Sequence, residues 1–161
     1  SLLAEKEISE TDLKLSRKDV LLGTTNLSSA FQRIISEPKL SKDYKSDIYN
    51  IQTLINLLST RISSLRAYTF TSQKSEISET DRQLILFIET TLYNCLQTIQ
   101  GNPVSSDNLW KEEEFNLSFE NQSLTTYQLR EINALVQQIY GYIVKLQEFQ
   151  EWKNSELNLS F

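Results

Sequence analysis

The sequence predicts an all-α protein, an antiparallel bundle of four main helices built as two helical hairpins. Three observations lead there. Apolar residues recur at three- and four-residue intervals along four separate stretches, the period that lines one face of a helix. Three glycines and two prolines in 161 residues leave too few turns for a sandwich or barrel, which needs one every ten or so residues. Hydrophobic residues make up 39% of the chain, enough for the core of one domain of this length.

The first helix is expected from about Glu7, or earlier, to about Glu37. Leu27, Ala30, Phe31, Ile34 and Ile35 share its apolar face, and Phe31 and Ile34 are expected in the core. Pro38 ends it, because proline has no amide hydrogen and its ring disfavours the α conformation at Glu37. Asn26 sits mid-helix beside apolar residues, which predicts a buried asparagine that fixes helix register. The second helix starts near Ser41, an N-cap with Asp43 in its first turn, and runs to about Tyr68 or Thr71. Tyr44, Ile48, Ile51, Ile55, Leu58, Ile62 and Leu65 alternate four and three residues apart, a heptad seam that Leu54 widens. The short connection from Pro38 to Lys42 makes these two helices antiparallel neighbours.

The third helix is expected to begin after Ser78. That serine lies in the octapeptide Glu76–Gln83, nearly repeated at Glu7–Lys14, and the cap sequence Ser78-Glu79-Thr80-Asp81 recurs unchanged as Ser9-Glu10-Thr11-Asp12. Leu84, Ile85, Ile88, Leu92, Cys95, Leu96 and Ile99 give it one broad apolar face, and Gly101-Asn102-Pro103 stops it. The fourth starts near Ser123 or Thr125 and runs to about Trp152, with Leu129, Ile132, Leu135, Val136, Ile139, Ile143, Leu146 and Phe149 on its face. Between Pro103 and Gln122, Leu109, Trp110, Phe115, Leu117 and Phe119 predict a packed connection with a helical turn around Trp110. The tail Leu157–Phe161 echoes Phe115–Phe119, and the two could pair as a small two-stranded ribbon, a marginal structure when isolated in water.

The chain therefore reads as one helical domain over residues 1–161, with one hairpin over about 7–70 and the other over about 78–152. It contains no methionine, even at position 1, so it reads as a piece excised from a longer protein. No window approaches the length of apolar sequence that spans a bilayer, so direct lipid insertion is not expected of this fragment.

Composition removes several function classes. A net charge of −5 speaks against nucleic acid and against docking on anionic lipid. The chain has no histidine, so it lacks the commonest general base and metal ligand. Its one cysteine, Cys95, lies in an apolar stripe and reads as buried and inert. Glu112, Glu113 and Glu114 are consecutive, and on a helix they point about 100° apart and cannot converge. No cofactor, metal or catalytic residue is expected. Arg33 and Glu37 stand one turn apart, where a surface ion pair would steady the helix end. Nine aromatics, Tyr44, Tyr68, Phe70, Tyr93, Trp110, Tyr127, Tyr140, Tyr142 and Trp152, read as core or rim rather than as a ligand pocket.

Asn26-Leu27, Ala30-Phe31-Gln32-Arg33 and Ser36-Glu37-Pro38-Lys39, with Arg17 upstream, resemble a run in one protein family. The resemblance is to the segment that opens the soluble C-terminal region of fusaric-acid-resistance-like (FUSC-type) bacterial inner-membrane proteins, and it covers roughly residues 13–70. Leu13 stands where that family carries an aromatic residue, and Ser16 where it carries a small neighbour of the arginine. What the resemblance implies is a non-catalytic domain at the cytoplasmic face of the bacterial inner membrane, in a protein that exports aromatic or other organic acids. Its partners would be the membrane-embedded part of the same chain and other copies of itself. The motif residues Arg17, Asn26, Phe31, Gln32, Arg33, Ser36, Glu37 and Pro38 would then serve structure or interaction. The alternative is a free-standing helical adaptor or a small-molecule-sensing bundle.

Overall fold

A computed structural model of the chain describes residues 10–71, 77–102, 104 and 123–159, with side chains described for 14–67, 77–102, 104 and 123–150. Among the described residues the protein is an all-α helical bundle. Its four helices are α1 (Glu10–Ile35), α2 (Lys42–Thr71), α3 (Glu79–Ile99) and α4 (Leu124–Leu159). There is no strand among the described residues. The expected packing of the connection between Pro103 and Gln122 lies outside the described residues, apart from Val104.

Local chemistry sets the helix ends. Ser41 caps α2, its Oγ accepting from the Tyr44 amide at 3.2 Å. Ser78 caps α3 through a complete capping box: its Oγ accepts from the Asp81 amide at 3.1 Å, and its own amide donates to Asp81 Oδ2 at 3.2 Å. Ser123 caps α4, accepting from the Thr126 amide at 3.1 Å. α3 ends in a Schellman turn. The Asn102 amide reaches Gln97 O at 2.9 Å and the Gly101 amide reaches Thr98 O at 3.0 Å. Gly101 sits at φ 74°, the left-handed region where a Cβ would be strained.

α4 continues to Leu159, beyond the stop expected near Trp152. Residues 157–159 are helical, which corrects the reading of the tail as one strand of a ribbon. Nothing in Lys153-Asn154-Ser155-Glu156 is a proline or glycine, so no side chain there breaks the helix.

The chain divides into two compact units, the first up to Gln52 and the second from Thr53 onward, with the boundary inside α2. In the first unit α1 and the opening turns of α2 form the expected antiparallel hairpin. Residues 36–41 connect them, and Gln52 Nε2 donates to Ser28 Oγ at 2.9 Å across the pair. The apolar side chains buried here are Phe31, Ile48 and Ile51. Ile34, expected to be buried beside Phe31, is only half-buried.

The second unit holds the larger core. Leu58, Leu84, Ile88, Cys95, Leu129, Ile132, Leu135, Val136 and Ile139 form one buried cluster, with Leu54, Ile55, Leu65, Ile85, Tyr140 and Ile143 packed around it. Leu84 and Val136 are sealed, at 1% and 0% exposure. Two side-chain bridges fix how α3 and α4 meet. Thr126 Oγ1 donates to Asp81 Oδ1 at 2.7 Å, and Gln137 Nε2 donates to Thr91 Oγ1 at 2.9 Å. Later residues of α3 thus face later residues of α4, so the two helices run in the same direction. The second hairpin expected from the sequence is therefore a parallel pair inside the all-α bundle. The reason is length: α3 spans about 30 Å, and residues 100–123 are ample chain to return from its end to its start.

The face α3 buries also differs from the expected one. Leu84, Ile88, Thr91 and Cys95 point inward, joined by Asp81 and Asn94. Leu92, Leu96 and Ile99 are 41%, 50% and 64% exposed. They form a second apolar stripe, offset around the helix from the buried one, which a simple count of apolar residues merges with the core face.

Candidate functional site

Arg17 lies early in α1, Asn26 in its second half, and the other motif residues in its last turns and the turn that follows. Phe31 alone among them is buried, at 8% exposure. Arg17, Asn26, Gln32, Arg33, Ser36, Glu37 and Pro38 are exposed. The burial expected of Asn26 is thus corrected. It lies about 140° around the helix from Phe31, on the solvent side, at 3.6 residues per turn.

Gln32, Arg33, Ser36 and Glu37 line a shallow, open depression on α1. All four belong to the last turn of α1 and its exit. Ser36 Oγ donates to Gln32 O at 2.7 Å, which ties its hydroxyl to the backbone. The ion pair expected between Arg33 and Glu37 is not formed among the described residues. An ion pair in the second unit joins Arg61 Nη2 to Glu131 Oε2 at 3.1 Å, with both side chains well exposed. Such a pair contributes about 0–1 kcal/mol.

The most built polar feature is one that sequence reasoning missed. At the start of the second unit's parallel pair, Asp81 accepts from the Ser78 amide and the Thr126 hydroxyl, and Thr126 in turn contacts Ser123 Oγ at 2.9 Å. Asp81 is 3% exposed and Thr126 6%. The network clasps two helix N-termini with a buried carboxylate, where the positive ends of both dipoles favour negative charge. Its signal was present in the sequence as the cap spacing at Ser78 and Ser123, but nothing local says that two caps meet.

The second unit also holds unsatisfied buried groups. Asn133 is 3% exposed, and its Oδ1 has no partner among the described residues. Gln128 Oε1 is likewise buried and unpartnered. Cys95 is buried, and burial pushes its thiol from an ordinary 9.0 up to about 11, against a smaller lowering by a backbone hydrogen bond. At neutral pH it holds its proton and is a poor nucleophile.

Tyr93 and Tyr127 are 61% and 53% exposed, while Tyr44, Tyr140 and Tyr142 are half-buried. The side chains of Tyr68, Phe70, Trp110 and Trp152 lie outside the described residues. No cluster of three or more metal-ligating residues occurs among the described residues. No described helix is long and apolar enough to cross a membrane.

Comparison with known protein families, with curated proteins and with solved structures finds no match to this chain.

Proposed function

We propose that this chain is a non-catalytic helical domain that works by association. The observation that carries the reading is the division of labour in the Asn26–Lys39 segment: Phe31 anchors it, while Asn26, Gln32, Arg33, Ser36 and Glu37 are presented to solvent. Exposed polar side chains on a rigid helix end recognise a surface rather than enclose a substrate. The absence of histidine and the dispersal of the described carboxylates support the non-catalytic part. The exposed apolar residues of α3 support association in general.

The finer proposal follows the motif resemblance. The domain serves as the cytoplasmic accessory part of a FUSC-type inner-membrane exporter of aromatic or organic acids, steadying or regulating the membrane-embedded portion and self-associating. Reading the coding sequence on the N-terminal side of Ser1 tests it. A block of hydrophobic spans is the expected result, and a water-soluble partner domain there overturns the exporter reading. For association itself, light scattering on the purified chain with and without Arg33→Glu is the direct measurement. A monomer at every concentration, with no change on joining the adjoining part of the protein, counts against the proposal.

A further inference from the structure

We draw no further inference here: the strongest candidate, the stripe of Leu92, Leu96 and Ile99 along α3, is an unpartnered apolar helix face, and nothing in the structure shows what covers it.

Discussion

The two helix pairs obey different rules. α1 and the opening of α2 are joined by residues 36–41 and run antiparallel; α3 and α4 are joined by residues 100–123 and run parallel. In the first pair the backbone decides. A link that short admits only a reversal, and few side chains are needed to hold it. In the second pair the link permits either direction. Side chains must then choose, and the polar bridges at Asp81–Thr126 and Thr91–Gln137 bond at every level only in the parallel alignment. The burial differs accordingly. The first unit buries three apolar side chains among its described residues, and the second buries nine.

That contrast predicts unequal resistance to opening, because local stability follows buried apolar contact. Phe31→Ala is expected to cost on the order of 3–5 kcal/mol, and Leu84→Ala about 2–5 kcal/mol. Hydrogen exchange separates the two. Phe31→Ala should strip protection from α1 and the first turns of α2 while leaving α3 and α4 protected. Leu84→Ala should lower protection throughout α3 and α4. Equal loss in both units from Phe31→Ala would mean that they open as one, and the division at Gln52 would carry no energetic meaning.

The clasp can be broken separately from the core. Asp81→Ala removes the acceptor for the Ser78 amide and the buried Thr126 hydroxyl. The expected loss is about 2 kcal/mol, the sum of a lost cap and an under-satisfied buried donor. Glu79→Ala, exposed in the same first turn, should cost under about 0.5 kcal/mol. Pairing Asp81→Ala with Thr126→Val should cost less than the two single changes added together, because neither buried partner is then left alone. Additive losses in a urea-melt cycle would show that the two side chains act independently.

Cys95 reports on the second unit through pH. Its folded thiol titrates near 11 and its ordinary value is 9.0. Between those values the unfolded chain releases a proton that the folded chain keeps, so stability falls as pH rises through that window and is fully present below it. The expected loss by the top of the window is about 2 kcal/mol. The measurement is the difference in stability between the parent and Cys95→Ala across the alkaline range. A constant difference from pH 8 to pH 11 would place the thiol in contact with solvent.

Much of this was legible in the sequence. Helix class, the starts of α2, α3 and α4, the stop at Gly101 and the first reversal are all local properties, written in caps, glycine and spacing. What was hidden is relational. Leu92, Leu96 and Ile99 are as apolar as Leu84 and Ile88, and only the position of α4 tells which stripe is buried. Asn26 and Asn133 are the same residue among apolar neighbours. Asn26 faces water and Asn133 is sealed, because one face lacks a covering helix and the other has one. The direction of α4 depends on a contact between residues 81 and 126, and helical periodicity carries no information at that separation. The motif segment was visible, yet its exposure was not, since the sequence does not say which side of α1 the hairpin uses.

Asn133 offers the smallest effect and the sharpest test of how the parallel pair is chosen. It is buried in the second unit, with Oδ1 unpartnered among the described residues. A buried carbonyl without a donor carries its full desolvation penalty, about 1–3 kcal/mol. Leucine has the same branching of heavy atoms and no polar group, so Asn133→Leu should stabilise the protein by about 1 kcal/mol after some strain from its larger methyls. In coiled coils a single buried asparagine costs stability and holds the register. If Asn133 does the same here, the leucine variant should be tougher in urea but show doubled amide resonances from a shifted α3–α4 register. If the clasp at Asp81 and the bridge at Thr91 already suffice, the variant should be more stable and still show one set of resonances. A destabilised variant would defeat both versions, because it would mean that the Asn133 amide makes a bond worth keeping.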